Sequence, residues 1–376
     1  MKKTLLGTTA LVAVGLLAGP ALASDPLKVT VGGNVVTGFY VVDSDDIGGT
    51  SFQDTKVAVV ARNIDIIAEG TLDNGLTAGV DAKLMLGSDF SNGANFANNN
   101  GFATFRQLFA YLEGGFGRFE IGGTDGAAYK MHYTSPWFVP GNGVDSPNIY
   151  NSAITPLVRN STYSLLATDA NKVSYFTPRL AGFQLGGSYT PEVSANNVKA
   201  NGLGLIPSGV TTEEVYEIAL NYAGSFGGFD IGADGFYTAG SSALANTDPE
   251  EYGFGLNLGA WGFTLGGAYY NSSDLTSILG VTPGAGDEVW TAGLSYSTGP
   301  WTVGASYLKG EDDSDVSVDR ENSMWQVGGG YNLGSGVDVG LEYQFVNNKA
   351  GGVVDYDSQS LGLVLAVGFY ASALLL

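Results

Sequence analysis

Between Val337 and Phe345 the chain reads VDVGLEYQF, with every odd position apolar and every even position polar or glycine. Successive side chains of a strand point to opposite faces, so this segment has one apolar face and one wet face. The pattern returns throughout. Phe229, Ile231, Ala233 and Tyr237 share one parity, while Asp230 and Asp234 share the other. Trp301, Val303, Ala305 and Tyr307 repeat it, as do Phe183, Leu185 and Tyr189. Strands that alternate this cleanly, in a chain with no cysteine and no helical core pattern, point to an all-β fold. The expected form is a transmembrane antiparallel β-barrel with lipid outside and water inside.

Short glycine-rich connections alternate with long polar ones. The short ones fall at 72–75, 113–117, 178–182, 224–228, 259–262, 297–300 and 333–336, and their residues tolerate tight reversals. The long ones lie near 43–54, 88–100, 124–170, 191–213, 240–250, 272–287, 310–320 and 347–358. One end of the barrel then carries turns and the other carries loops, the asymmetry of outer-membrane barrels. The segments between these connections number about sixteen. Tyrosines near strand ends (Tyr189, Tyr222, Tyr269, Tyr296, Tyr307, Tyr331 and Tyr343) fit the headgroup girdle of such a barrel. A soluble β-sandwich or solenoid is the alternative, and it explains poorly a second face carrying Asp and Glu on so many strands.

The first residues form an export signal. Lys2 and Lys3 precede an apolar stretch from Leu5 to Leu17, Pro20 breaks it, and Ala21-Leu22-Ala23 is a small-residue cleavage site. The expectation is a cleaved signal over 1–23 and one barrel over 24–376. No other apolar run is long enough for a transmembrane helix, which needs about 20 residues.

The 376 residues carry a formal net charge of -21, which argues against nucleic acid as a partner. Two readings of the charge stand: acidic external loops, or a lumen that prefers cations. With one histidine, His132, and no cysteine, a His-rich metal site and a thiol nucleophile are excluded. No serine motif points to His132, so no catalysis is expected, and no cofactor.

Two segments carry a family resemblance. Arg106 to Gly122 (RQLFAYLEGGFGRFEIG) has a basic residue, aromatic alternation and a Gly-Phe-Gly turn into a strand ending at glycine. Asn171 to Tyr189 (NKVSYFTPRLAGFQLGGSY) has the spacing N-x-V-x-Y-x-x-P-x-x-x-G-F-x-x-G-x-x-Y. Both resemble hairpins of the Gram-negative general porins. The resemblance implies a homotrimer of sixteen-stranded barrels in the outer membrane, in contact with lipid and lipopolysaccharide. It also implies a long third loop folded into each pore and passive diffusion of small hydrophilic solutes.

That loop would be the segment from Thr124 to about Ala170, the longest stretch without a strand pattern. Loops of this length are usually functional. The alternative is an external loop packed over a subunit contact. The family sets basic wall residues against acidic loop residues. The residues matching its wall positions are Arg106 and Arg159, joined by Lys83 on the wet face beside Asp81. Arg62 has the parity of Ile64 and Ile66, on the apolar face. Asp125 and Asp145 are the loop acids, with Asp169 a weaker choice. The Pro-Glu-Phe-Gly of enterobacterial members is missing. Its nearest match is Pro136-Trp137-Phe138. Trp137 and Phe138 therefore suggest a more aromatic constriction. Two alternatives follow: a channel selective for a sugar or another small solute, and a plugged structural or adhesive barrel.

Glu311 to Asp319 clusters carboxylates that suit weak Ca²⁺ or Mg²⁺ binding, without the spacing of an EF-hand loop. A solvated acidic loop is the simpler reading. The final strand is expected to end at Phe369, the aromatic terminus of the family, yet the chain runs on to Leu376. Val364 and Ala366 make the wet face of that strand unusually apolar.

Overall fold

The computed structural model describes residues 27–45, 54–85, 104–145, 158–193, 212–242, 248–273, 286–312, 320–351 and 354–374. The expected signal at 1–23 and most of the acidic run, Asp313 to Asp319, lie outside the described residues. Sixteen strands form one closed antiparallel barrel. They are β1 (Lys28–Ser44), β2 (Thr55–Thr71), β3 (Thr77–Met85), β4 (Thr104–Gly114), β5 (Gly117–Gly123) and β6 (Asn171–Phe176). Next come β7 (Phe183–Glu192), β8 (Thr212–Phe226), β9 (Phe229–Ser242), β10 (Glu250–Ala260) and β11 (Phe263–Ser273). The last are β12 (Asp287–Thr298), β13 (Trp301–Asp312), β14 (Arg320–Gly334), β15 (Val337–Ala350) and β16 (Val354–Leu374). Among the described residues one short helix, α1 (Ala127–Lys130), lies between β5 and β6.

The two predicted kinds of connection sit at opposite ends. All seven short reversals join the expected strand pairs. In the β10–β11 turn both Trp261 (φ 54) and Gly262 (φ 85) are left-handed, as a two-residue reversal matched to strand twist requires. Every strand pairs with its sequence neighbour, and β16 closes on β1 from Lys28↔Leu374 to Ser44↔Ser358. The final strand therefore does not stop at Phe369. Tyr370 to Leu374 continue the ladder against the start of β1. A 17-residue β1 gives them backbone partners, and this carries the strand on.

Side-chain parity separates the two faces. Leu361, Leu363, Leu365 and Val367 on β16 and Tyr252, Phe254, Leu256 and Leu258 on β10 are exposed outward. Their alternates on β14–β16, Gln326, Glu342, Gln344 and Ser360, are buried on the inner side. Arg62 shares the outer face with its cross-strand partner Val35, as parity predicts. Among the described residues no helix is long and apolar enough to cross a membrane.

Candidate functional site: the inward segment and the channel beside it

The segment between β5 and β6 turns into the barrel, and its stems are tied by one buried lysine. Lys172, at the start of β6, donates to the carbonyls of Thr124, Ala167 and Ala170, the last two at 2.7 and 2.8 Å. A buried ammonium is costly unless its three donors are used, and here all three are.

From that knot the chain follows the inner wall rather than crossing the lumen freely. The N–H of Ala127 donates to Ser188 Oγ (2.8 Å), and that of Ala128 to Glu217 Oε2 (3.0 Å). Asn221 Nδ2 donates to the Met131 carbonyl (2.8 Å). Asp234 on β9 accepts from the Tyr133 N–H (2.7 Å) and meets His132 Nδ1 at 2.9 Å. The other ring nitrogen lies 3.0 Å from Thr162 Oγ1. The single histidine is thus a strut between wall and loop, with a buried side chain.

Glycines make this close approach possible. A Cβ at Gly232 would lie 2.7 Å from the Tyr133 ring, and one at Gly340 would lie 2.6 Å from Pro140. A Cβ at Gly255 would overlap the Tyr133 carbonyl, and one at Gly304 would overlap the Phe138 ring. The inner face of β9–β15 thus carries a track of missing side chains under the segment. At its far end Phe138 and Val139 pack with Val36, Tyr40, Val42, Ala58 and Val364. The apolar inner face of β16 is the seat of the loop tip. Beside it Asn142 donates to both oxygens of Glu342, each at 3.0 Å. Tyr40, Gln326 and Gln344 donate to the same carboxylate at 2.9, 2.6 and 2.9 Å.

The returning limb reaches β10 and β4. Arg159 lies 3.4 Å from Glu251 and stacks over the Tyr270 ring at 3.9 Å. Asp169 accepts from Arg106 Nε and Gln107 Nε2, each at 2.7 Å, and Gln107 also donates to Asp125 at 2.8 Å. The register slips between Lys83 and Leu84, leaving Arg106 as an extra residue on β4. Such a bulge re-aims a side chain, so Arg106 and Gln107 both reach the segment.

Between α1 and the β3–β5 wall lies a cavity of about 520 Å³. Asp81, Lys83, Gln107, Phe109, Arg118 and Glu120 line the wall side, facing Asp125, Tyr129, Lys130, His132 and Tyr163. It shares Arg118, Glu120 and Lys130 with a second space of about 450 Å³ near the β4–β5 and β6–β7 turns. Glu120 is pinned between Arg118 (2.8 Å) and Lys130 (2.5 Å). Burial in the loop pushes the hydroxyls of Tyr129 and Tyr163 up from their ordinary range.

The expected site residues are therefore sorted by the structure. Lys83 and Asp125 line the opening. Arg106 joins Asp169 at the loop base. Arg159 is on the inward segment, not the wall, because β6 begins only at Asn171. Asp145 is fully buried: it accepts from Ser161 Oγ (3.0 Å), the Thr162 N–H (2.9 Å) and two threonine hydroxyls, and so holds two limbs together. Phe138 is an anchor, 4% exposed, because Gly304 leaves a seat for its ring. Trp137 stays exposed beside Gly143. Both sides of the opening mix charge: Lys83, Arg118 and Glu120 stand on the wall, and Asp125 and Lys130 on the segment. Sequence reasoning missed Arg118, Glu120 and Lys130. The parity of Arg118 and Glu120 within the quoted hairpin was the available signal.

The model of a family described as Gram-negative porin matches residues 7–351. Among solved structures, an in-vitro folded OmpT of Vibrio cholerae in trimer form superposes with a TM-score of 0.59 at 12% identity, covering 92% of this chain and 100% of that one. An anion-selective porin from Comamonas acidovorans gives 0.60 at 15% identity, covering 91% and 100%. The outer membrane channel DcaP of Acinetobacter baumannii gives 0.60 at 13%, covering 94% and 100%. No curated protein sequence matches.

Proposed function

The chain belongs to the Gram-negative porin family, and on that premise we propose that it forms a water-filled channel for passive diffusion of ions and small hydrophilic solutes. The family and fold support a channel rather than an enzyme, in the bacterial outer membrane. One observation carries the reading: the inward segment is fastened along the β7–β16 and β1 wall, and beside it charged side chains line an open space of about 520 Å³. On the inner faces of β2–β5 and the facing segment stand Asp65, Glu69, Asp81, Glu113, Glu120, Asp125 and Asp169 against Lys56, Lys83, Arg106, Arg118 and Lys130. This excess of carboxylates supports a modest cation preference, short-ranged because salt screens beyond ~8 Å.

We further read the assembly as a homotrimer of one-channel barrels exported by the signal at 1–23. Weak Ca²⁺ or Mg²⁺ binding near Glu311–Asp319 remains a separate proposal. Glu311 itself meets Lys309 at 2.5 Å, which offsets part of the local charge. A second reading, a channel selective for a sugar or similar solute, is favoured by Phe109, Tyr129 and Tyr163 along the opening. Planar-bilayer recordings across a salt gradient test both readings. Conductance in triplet steps with a cation-sided reversal potential supports the diffusion channel. Small steps blocked by a sugar support the selective one. No conductance from folded protein overturns both.

A further inference from the structure

Two spaces beside the inward segment meet at three charged side chains. One is the cavity of about 520 Å³ against the β3–β5 wall, and the other is the space of about 450 Å³ toward the β4–β5 and β6–β7 turns. Among the described residues, Arg118, Glu120 and Lys130 alone line both. An ion that moves from one space into the other therefore passes this group. Arg118 and Glu120 stand two residues apart on β5, so their side chains share the inner face. Lys130 ends α1 and reaches them from the segment. Wall and segment thus build the junction together.

Its charges alternate. Glu113 meets Arg118 at 3.0 Å, Arg118 meets Glu120 at 2.8 Å, and Glu120 meets Lys130 at 2.5 Å. The two carboxylates differ in setting. The Glu113 side chain is 51% exposed on the turn side, whereas that of Glu120 is 4% exposed between the two cations. Water and salt screen an exposed pair far more than a buried one. Glu120 therefore carries most of the cancellation. The cations have seats that do not depend on it. The Arg118 guanidinium lies 3.8 Å over the Tyr111 ring, and the Lys130 ammonium lies 4.7 Å from the centre of the Phe109 ring. Attraction to the ring faces holds both cations at the junction when the carboxylate between them is neutralised.

We propose that Glu120 sets the charge preference of the passage: it cancels Arg118 and Lys130 where the two spaces meet, and without it this point favours anions. The proposal rests on the diffusion-channel reading above and assigns its cation preference to one buried carboxylate. Glu120 need not touch the passing ion, because it acts through the two cations it pairs. Lys130 is its counterpart. Without that ammonium, two carboxylates face one guanidinium, and the junction favours cations more strongly.

Reversal potentials of the purified, folded barrel in planar bilayers across a KCl gradient test this. Glu120→Gln keeps the shape of the side chain and removes its charge. The expected result is a K⁺/Cl⁻ permeability ratio several-fold below that of the parent, with the reversal potential changing sign. Lys130→Met is expected to raise the ratio. The double variant restores the formal balance and should return the ratio to near the parental value. Glu113→Gln, the same formal change at the exposed carboxylate, should stay close to the parent. Should Glu120→Gln fail to fold, Lys130→Met and the double variant still differ by the Glu120 charge and decide the matter. Parental ratios in these Glu120 and Lys130 variants overturn the proposal and leave the channel standing. A shift in Glu113→Gln as large as that in Glu120→Gln overturns the choice of Glu120. No conductance from the folded parent overturns the channel reading on which the proposal rests.

Discussion

Asn142, at the far end of the inward segment, donates one hydrogen to each oxygen of Glu342 on β15, both at 3.0 Å. The loop end is thereby fixed to the wall by a buried carboxylate. Asn142→Ala removes two bonds to a charged, buried acceptor, each worth about 1.5–3 kcal/mol. The expected outcome is a lower melting temperature in detergent and noisier open-channel current. An unchanged melting temperature and quiet current would show that the tip is held by its apolar contacts alone.

Lys172 joins the beginning of the segment to its end. Lys172→Met keeps much of the volume but leaves the Thr124 carbonyl without its donor, and leaves the Ala167 and Ala170 carbonyls only a long backbone N–H each, at 3.4 Å. At about 1–3 kcal/mol for each buried group left unsatisfied, this variant should be among the most destabilising at the channel. The check is urea unfolding of the refolded barrel, together with protease cleavage between residues 124 and 170, which should become faster.

The glycine track predicts a steric sensitivity that residue type alone would hide. Gly304→Val pushes into the Phe138 ring, and Gly340→Val pushes into Pro140. Overpacking of this kind costs about 1–3 kcal/mol. Each variant should shift the segment toward the channel and reduce conductance, whereas Gly235→Val, on the outer face of β9 where a Cβ meets only the Gly253 carbonyl at 3.8 Å, should not. Equal effects at all three sites in single-channel recordings would remove the track from the account.

Alkaline pH should loosen the segment before the barrel. Burial raises Tyr129 and Tyr163 above the ordinary tyrosine value near 10. The folded state therefore keeps a proton that the unfolded state releases above that value. The contribution is fully present below pH ~10 and is lost as pH rises through the folded values. Ultraviolet titration should show these two hydroxyls titrating late, and Tyr163→Phe should flatten the loss of stability above pH ~10.

Much of the barrel was legible because a period of two and a turn every second connection are local properties. Val337 to Phe345 needed nothing beyond its own parity to declare both faces. Arg62, too, was assigned to the outer face by parity and is found there. The site was less legible because its contacts join residues far apart in the chain. Glu342 and Asn142 are 200 residues apart, and neither has a local sign of the other. Val364 looked out of place as a wet-face residue until Phe138 and Val139 were found against it. Phe138 itself read as a channel residue because aromatic loop residues suggest a constriction, and only the space left by Gly304 shows it to be an anchor. Arg159 reads as a wall residue through the family pattern, but it stands on the inward segment, 12 residues before β6 begins at Asn171.

The central claim is that the open path runs between α1 and the β3–β5 wall while the β9–β15 wall is covered. It is tested most directly by conductance block with a charged thiol reagent at Lys83→Cys and Gln344→Cys in an otherwise cysteine-free chain. Lys83 lines the opening, and Gln344 is 0% exposed on the covered wall. The account predicts rapid loss of current at Lys83→Cys and none at Gln344→Cys. Block at Gln344→Cys with none at Lys83→Cys would place the path on the other side of the inward segment and contradict it.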